Sequence, residues 1–219
     1  MPERNYLPLF IDMSSKKVLI FGGGKVGERK ALLFKDFAPV TVISASFTEN
    51  LNKCSDEIDL IESDISDLTI SQIEDFVKDS FIVITATNNP ELNEKIGEIA
   101  ERSGALVNSV NLAGDLIIPS VIRQDPVLLG ISTMGNSPAL SKFIRLELEK
   151  VITPAYGQMA KLQDECRDIL KERISEESGR KTILWEILEN REIWDAFAVS
   201  YEKAYNIAYN IMLEHFEDN

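Results

Sequence analysis

The sequence predicts an α/β fold in which a parallel sheet is followed by a β-hairpin and an all-helical C-terminal region. Apolar runs of strand length alternate with segments of helical periodicity through the first half of the chain, and the periodicity is entirely helical after Lys150. A glycine-rich turn joins the first apolar run to the first helical segment. Such alternation is typical of a parallel sheet with right-handed crossovers, whose ligands bind at the carboxyl ends of the strands.

The glycine-rich turn is the most informative motif. Residues 18–21 form the first predicted strand, and the spacing Gly22-x-Gly24-x-x-Gly27 leads into a helix predicted over residues 26–37. In a dinucleotide-binding turn, the first glycine allows the sharp bend, the second lets the pyrophosphate approach the backbone, and the third brings the helix against the strand. The helix N-terminus offers N–H groups and partial positive charge to the anion. The residues predicted to bind the cofactor here are Gly22, Gly24, Lys25, Val26 and Gly27, a purely structural turn being the alternative.

Further strands and helices follow in alternation. Strands are predicted over residues 40–44, 58–62, 81–87 and 105–110, and helices over residues 71–78 and from Pro90 to Gly104. The run over residues 81–87 is continuously apolar, as parallel strands buried on both faces are. An asparagine before Pro90 suits the helix N-cap, and Gly104 is a good left-handed terminator. These elements complete the Rossmann-type sheet that the glycine turn predicts.

After the sheet, the pattern changes to that of a hairpin. Two apolar runs, residues 116–122 and 127–133, are separated by a short polar turn, and Pro119 inside the first run indicates an edge strand or a bulge. A hairpin outside the main sheet needs a cover, and a second subunit would supply it, so we expect a homodimer. Asn136 or Ser137 caps the next predicted helix. The predicted domains are a cofactor-binding domain over residues 1–114, a dimerisation region over 115–150 and a helical domain over 151–219.

The helical region carries an aromatic stripe. Tyr201, Tyr205 and Tyr209 are four residues apart and therefore share one helix face. A packed amphipathic stripe is the main interpretation, and a ligand-facing aromatic wall is the alternative. A break between helices is predicted over residues 175–180.

Composition excludes several classes of protein. The formal net charge of −13 argues against a general nucleic-acid binder, because phosphate contacts need clustered Lys and Arg. Residues 1–13 lack the apolar core of a signal peptide, and no segment is long and apolar enough to span a bilayer, so a cytoplasmic protein without a membrane partner is expected. Cys54 and Cys166 lack metal-ligand spacing, which favours buried free thiols in a reducing compartment.

The residue types favour cofactor-dependent chemistry. The only histidine, His215, lies near the C-terminus, and the sequence shows neither a Ser-His-Asp set nor a His or Cys cluster for a metal. Hydride transfer suits such a chain because a nicotinamide carries the chemistry itself. Ser44 ends the second strand where an acidic residue usually reads the ribose, and no Lys or Arg follows until Lys53. The missing phosphate clamp favours NAD over NADP.

Several separate segments together resemble one protein family. The matching segments are residues 7–12, 18–27, 85–93 (TATNNPELN), 106–110, 117–120 and 131–140 (ISTMGNSPAL), running on to Arg145. In this order, over roughly residues 6–150, the chain resembles the precorrin-2 dehydrogenases, or siroheme synthase N-terminal type. Members of that family oxidise precorrin-2 to sirohydrochlorin with NAD, and some also insert iron. The C-terminal helices match only in character.

The resemblance implies an arrangement of the site. It implies a Rossmann domain, a central dimerisation region that includes the hairpin, and a small helical domain, with the tetrapyrrole between them near the nicotinamide. Residues 85–87, namely Thr85, Ala86 and Thr87, would line the NAD site together with the glycine turn. Ser137 would face the substrate.

The substrate of this family also implies a role for basic residues. Precorrin-2 carries eight carboxylate side chains, which must meet local positive charge on an acidic protein. The basic residues expected on the substrate side are Arg123, Lys142 and Arg145, and ordinary solvated charges are the alternative.

At one position the sequence departs from the family. Relatives usually carry an aspartate, taken as the key catalytic group, directly after the strand that ends Val-Asn-x-Val, and this chain has Asn111 there. An amide cannot accept a proton as a carboxylate does, which places proton abstraction and metal insertion at Asn111 in doubt. The following loop is also shorter, so Asp115 is the carboxylate expected to substitute, a turn cap being its alternative role.

The main hypothesis is therefore an NAD-dependent precorrin-2 dehydrogenase that acts as a homodimer in siroheme biosynthesis. Additional chelation of iron or cobalt is a second hypothesis. A catalytically weak tetrapyrrole- or dinucleotide-binding carrier or sensor is a third, and Asn111 is the residue that favours it.

Overall fold

A computed structural model describes residues 6–109 and 116–217, and the chain divides into two compact units, Met1–Ile118 and Pro119–Asn219. The strands of the first unit are β1 Lys17–Phe21, β2 Val40–Ser44, β3 Asp59–Glu62, β4 Ser80–Thr85 and β5 Leu106–Ser109. All pair in parallel, in the order β3-β2-β1-β4-β5. The predicted α/β fold is confirmed, and the strand order reverses between β1 and β4, where ligands bind in such sheets.

Helices cover both faces of this sheet. They are α1 Lys25–Phe34, α2 Glu49–Lys53, α3 Ile70–Val77 and α4 Pro90–Arg102, with a 3₁₀ turn at Ile65–Asp67. Leu19 and Phe21 of β1 belong to the core under α3 and α4, whereas Val18 and Ile20 belong to the core under α1 and α2. A strand buried on both faces has to be apolar throughout, which explains why β1 shows no alternation.

Some element boundaries differ from prediction. Helix α1 ends at Phe34 instead of residue 37, because Pro39 disfavours helical geometry in the residue before it and the chain turns at 35–38. Strand β4 ends at Thr85, so Ala86 and Thr87 lie in the loop beyond it. Helix α2 was not predicted, since Leu51 is its only buried residue and gives no periodicity.

The second unit begins with the predicted hairpin. Its strands are β6 Ser120–Gln124 and β7 Val127–Ile131, paired antiparallel. The first strand starts at Ser120 and not at residue 116, because Pro119 has no N–H for the ladder. Helices follow as α5 Pro138–Glu149, α6 Pro154–Arg173, α7 Glu177–Glu189, α8 Arg191–Ala196 and α9 Tyr201–Glu217. Gly157 of α6 packs on the carbonyl groups of Gln124 and Asp125, where a Cβ would not fit.

Two of the three tyrosines of the aromatic stripe pack against the helical core. Tyr201 and Tyr205 pack against buried residues of α6 to α9, and burial raises the pKa of both phenols. Tyr209 stacks on Tyr205 with 6.1 Å between ring centroids but is itself exposed. The interpretation as a packed stripe is therefore confirmed for the first two tyrosines. Burial also raises the pKa of the Cys166 thiol to about 12, whereas Cys54 is only half-buried, contrary to the expectation that both are buried.

Candidate functional site

A cleft of about 520 Å³ opens at the carboxyl ends of β1, β2 and β4. It lies where the strand order reverses, as the parallel sheet requires of a ligand site. Its lining comes from the glycine turn, the β2–α2 loop, the loop after β3 and the β4–α4 loop: Gly22, Gly23, Gly24, Ser44, Ala45, Ser46, Phe47, Thr48, Asp64, Ile65, Ser66, Ala86, Thr87, Asn88, Asn89 and Leu92.

The three glycines of the motif meet different physical demands. Gly22 has a φ of +117°, which side-chain-bearing residues rarely adopt, and its N–H donates to the carbonyl oxygen of Ile43 at 2.8 Å. A Cβ on Gly27 would overlap the carbonyl oxygen of Gly22, so that glycine brings α1 against β1. Gly24 differs from both, because its backbone is extended and a Cβ built on it meets no atom of another described residue within 4 Å. The fold therefore needs Gly22 and Gly27, whereas Gly24 lies beside a space that the described residues do not fill.

The N-terminus of α1 is open to an anion. Gly24 is the N-cap and supplies no side-chain hydrogen bond, although its carbonyl oxygen accepts from the Glu28 N–H at 2.8 Å. The first N–H groups of a helix have no partner within the helix, and they carry the positive end of its dipole. This geometry is that of a phosphate site formed by main-chain groups.

The opposite wall is held by a buried amide. Asn93 of α4 is almost fully buried, and its Oδ1 accepts from the Thr87 N–H at 3.1 Å and from the Thr87 hydroxyl at 2.7 Å. Its Nδ2 donates to the Thr87 carbonyl at 3.0 Å. Asn89 caps α4, its Oδ1 accepting from the Leu92 N–H at 3.2 Å. Asn93 thus fixes the backbone of the β4–α4 loop, which lines the cleft.

The end of the cleft beside β2 and β3 is neutral or acidic. Ser44 ends β2, and Asp64 follows β3 with its Oδ1 accepting from the Ser66 N–H at 2.9 Å. Glu28 ties α1 to the β2–α2 loop, and hydrogen bonds from Thr48 and Asn50 lower the pKa of its carboxyl. Among the described lining residues, none is Lys or Arg.

Five of the nine predicted cofactor residues line this cleft, and the other four do not. Gly22, Gly24, Ser44, Ala86 and Thr87 line it. Lys25, Val26 and Gly27 form the first turn of α1 directly behind the glycine turn. Thr85 ends β4 and is fully buried, and its hydroxyl has no hydrogen-bond partner within the described chain.

Some residues that line the cleft or hold its wall were not predicted from the sequence. Gly23 has no room for a Cβ beside the Ser46 carbonyl, and the run of three glycines signalled this. Asn93 stands one helical turn after Asn89 in the Asn-Pro-Glu-Leu-Asn block, a spacing that places both side chains near the start of α4. No sequence pattern predicts that Phe47 and Asp64 line the cleft, because only the order of the strands brings their loops to it.

The predicted substrate-side residues belong to the second unit. Ser137 caps α5, its Oγ accepting from the Leu140 N–H at 3.2 Å. Arg123 donates from Nε to Asp125 at 2.8 Å, and Arg145 forms an ion pair with Glu149 on α5. Lys142 is exposed on the same helix. The predicted catalytic residues, Asp115 and Asn111, lie outside the described residues.

Other chemistry has little support in the described chain. Within residues 6–109 and 116–217, no three His, Cys, Asp or Glu side chains group as a metal site requires. His215 lies on the surface with its Nε2 2.8 Å from an oxygen of Glu186. In the same part of the chain, no helix combines the length and apolar character needed to cross a membrane.

Comparison with known proteins agrees with this geometry. A family model described as putative NAD(P)-binding matches residues 9–120. A precorrin-2 dehydrogenase from Methanosarcina barkeri is 44% identical over 210 residues, which are 95% of this chain and 94% of that protein. The siroheme synthase of Vesicomyosocius okutanii subsp. Calyptogena okutanii is 36% identical over 186 residues, which are 83% of this chain but only 38% of that enzyme.

A solved structure shows the same fold. That of SirC, a precorrin-2 dehydrogenase, matches with a TM-score of 0.69 and 23% identity, covering 94% of this chain and 99% of that chain. The Rossmann-type sheet, the hairpin and the helical region that the sequence predicts are thus all present in one known architecture.

Proposed function

The chain belongs to the precorrin-2 dehydrogenase family, and from this we propose that it oxidises precorrin-2 to sirohydrochlorin with NAD as the hydride acceptor. It is an NAD-dependent oxidoreductase of siroheme biosynthesis. The single observation that carries the proposal is the open space at Gly24, which the fold does not need and a pyrophosphate would occupy. Formation of NADH from NAD in the presence of precorrin-2 tests it directly.

NAD fits the described cleft better than NADP. A 2′-phosphate needs cationic partners, and the cleft lining offers the Ser44 hydroxyl and the Asp64 carboxylate instead. A serine can donate to a ribose hydroxyl, whereas an acidic side chain repels a phosphate. We therefore expect tighter binding of NAD than of NADP, measured by calorimetry on the same protein.

The protein's part in the reaction is positioning and proton transfer. NAD, when bound, supplies the acceptor for the hydride that leaves precorrin-2. The first turn of α1 would hold the pyrophosphate, and the loop fixed by Asn93 forms the opposite wall of the cleft. Oxidation also releases protons, which need an accepting group or water.

We assign the proton-accepting role to Asp115. It is the carboxylate nearest in sequence to the end of β5, and in the sequence it comes between β5 and β6. General-base assistance is worth roughly 10²- to 10⁴-fold in rate, so Asp115→Asn should lower turnover by that factor and leave NAD affinity unchanged. Asn111→Asp is the matched control, because it restores the family's carboxylate at its usual position and should raise turnover or leave it unchanged. Full activity in Asp115→Asn would exclude the role and leave solvent as the proton acceptor.

A second candidate function follows from Asn111. The amide at the family's catalytic position favours a protein that binds tetrapyrrole or dinucleotide with little turnover. Absence of NADH formation together with retained NAD binding would select this candidate. Metal insertion into sirohydrochlorin, followed spectrophotometrically, tests the further chelatase activity.

We also infer that the working form is a cytoplasmic homodimer with no nucleic-acid or membrane partner. Leu140, Phe143 and Leu146 share one face of α5 and are each more than two fifths exposed. Such a face on the helix beside the hairpin suits a second copy of the chain, and the net charge of −13 disfavours nucleic acid. Sedimentation at micromolar concentration should give a dimer mass, and a monomer mass would exclude it.

A further inference from the structure

A second cleft lies in the helical unit, between α6 and α7. Its volume is about 500 Å³, within the usual range of small-molecule sites. Gln163, Arg167 and Lys171 recur every fourth residue along α6 and therefore share one of its faces. Arg180 and Lys181 line the cleft from α7. We call this site the basic cleft.

The charge of the basic cleft opposes that of the chain. Four cations and one carboxylate, Glu177, line it, although the formal net charge of the protein is −13. Arg167 is 3.3 Å from Asp164, and Lys171 is 2.8 Å from Asp168, both within α6. These pairs are solvent-exposed, and exposed pairs are held by little free energy, so an incoming anion can compete for the cations.

The α7 side supplies cations of a different kind. Arg180 donates from Nη1 to the carbonyl oxygens of Ile174 and Ser175, at 2.8 and 2.7 Å, which fixes its guanidinium at the break between the helices. Lys181 is exposed and forms no ion pair within the described residues. The cleft therefore combines a positioned guanidinium with an exposed ammonium that forms no ion pair among the described residues.

An aromatic surface completes the basic cleft. Trp185 lines it and is 51% exposed, although the helix around it buries Ile183 and Ile187 in the core. An indole face next to several cations suits a ligand that is flat and carries several negative groups. If these cations were ordinary solvated surface charges, an exposed indole beside them would serve no purpose.

We propose that the basic cleft is a second binding site for a tetrapyrrole polycarboxylate, the chemical class of substrate and product. The choice of ligand class rests on the proposed function. Carboxylates of the ligand meet the cations of α6 and α7, and the conjugated ring lies against Trp185. The site would retain a tetrapyrrole at the surface of a protein whose net negative charge otherwise disfavours anions.

The test uses uroporphyrin III, a flat octacarboxylate, titrated calorimetrically into the full-length protein with NAD present. The wild-type protein should bind two uroporphyrins per chain. The double variant Arg167→Ala and Lys181→Ala should bind one of them about tenfold more weakly, as the loss of two exposed ion pairs predicts. Lys161→Ala with Lys203→Ala is the matched control, since both are exposed cations of the same unit outside the cleft, and it should retain both sites.

Two further arms identify the ligand class. Trp185→Ala should weaken the same site about fivefold, and Trp185→Phe should restore most of the affinity, because an aromatic face is what the ring requires. Titration with ATP replaces carboxylates by phosphates on a molecule that also carries a flat aromatic ring, the adenine. Cation-dependent binding of ATP without binding of uroporphyrin would overturn the assignment to tetrapyrroles, as would unchanged uroporphyrin binding in the Arg167 and Lys181 double variant.

Failure of this inference is distinct from failure of the proposed function. NADH formation in the double variant at saturating precorrin-2 should equal that of the wild type, because the basic cleft holds no group assigned to the reaction. A wild-type protein that binds uroporphyrin in the basic cleft but forms no NADH would refute the proposed function alone.

Discussion

The two clefts of this protein have nearly equal volumes, about 520 Å³ in the cofactor cleft and 500 Å³ in the basic cleft, but attract negative charge by different means. The described lining of the cofactor cleft includes no Lys or Arg, and the anion site that we propose there consists of main-chain N–H groups at the start of α1. The basic cleft has four cationic side chains. A main-chain site needs a specific backbone path, whereas a side-chain site needs only two helices with suitable faces.

In the cofactor cleft, the residues that the fold requires differ from the residue that we propose the ligand requires. Gly22 and Gly27 are required by the backbone, whereas a Cβ built on Gly24 meets no other described residue, so we propose that Gly24 is required by the ligand. In the basic cleft, Arg167, Lys171 and Lys181 are exposed, whereas Arg180 is half-buried and hydrogen-bonded to the carbonyl oxygens of Ile174 and Ser175. Four experiments test this difference between the clefts, and the first should give the largest effect.

Replacing Gly24 should strongly weaken cofactor binding with little loss of stability. Gly24→Val fills the space between backbone and pyrophosphate, so NAD affinity should fall by roughly 100-fold or more, about 2.7 kcal/mol. The valine is a poorer N-cap, which costs at most about 1 kcal/mol. Gly27→Ala is the contrasting variant, because its Cβ overlaps the Gly22 carbonyl and should destabilise the fold by about 1–3 kcal/mol or more. Calorimetry with NAD and thermal unfolding measure the two effects, and unchanged NAD affinity in folded Gly24→Val would remove the assignment.

Removing the amide of Asn93 should affect both properties together. Asn93→Ala leaves the N–H and carbonyl groups of Thr87 without their partners, which costs roughly 1–3 kcal/mol of stability. The β4–α4 loop then loses its fixed position, and NAD affinity should fall about tenfold. Asn93→Asp retains the acceptor oxygens, so its stability and NAD affinity should lie between those of the wild type and Asn93→Ala. An NAD affinity that does not change in Asn93→Ala would show that the wall is held by other contacts.

Salt should distinguish the two clefts. Raising ionic strength from about 50 mM to about 500 mM screens exposed charges, so uroporphyrin affinity at the basic cleft should fall about tenfold. NAD affinity should change by less than about threefold, because main-chain groups next to the ligand are screened less. Calorimetric titrations at the two salt concentrations give both values. An equal salt response of NAD and uroporphyrin would contradict the distinction.

Replacing Lys30 should give the smallest effect of the four. It also tests whether NAD affinity is independent of this nearby cation, since the described lining of the cofactor cleft includes no Lys or Arg. This α1 residue is half-buried, and desolvation, together with repulsion from Arg29, lowers its pKa to about 8 from the ordinary value of 10.5. Its folded pKa lies below its unfolded pKa, so the charged form opposes folding below pH 8 and this cost disappears as the pH rises from about 8 to 10.5. Lys30→Met should therefore increase the free energy of unfolding at pH 7 on the order of 1 kcal/mol, an advantage that declines toward pH 10. Chemical denaturation at both pH values measures this, and NAD affinity should stay unchanged.

The local parts of the fold and site could be predicted from sequence. The glycine turn, the Ser137 cap and the Pro90 helix start depend on neighbours within a few residues, and the structure has them at those positions. Asp64 enters the cofactor cleft only because β3 pairs beside β2, which no local pattern encodes. The basic cleft likewise needs the pairing of α6 with α7, since its cations look like ordinary surface charges along either helix.

The position of Trp185 also determines what spectroscopy can see in this protein. The chain has two tryptophans, Trp185 and Trp194, and both lie in the second unit. Trp194 donates from Nε1 to the Leu188 carbonyl at 2.8 Å and lies 5.0 Å from the Tyr156 ring, a packed environment, whereas Trp185 faces solvent. Indole emission during denaturation therefore follows the helical unit only. Loss of the parallel sheet is silent in that signal and has to be followed by backbone circular dichroism.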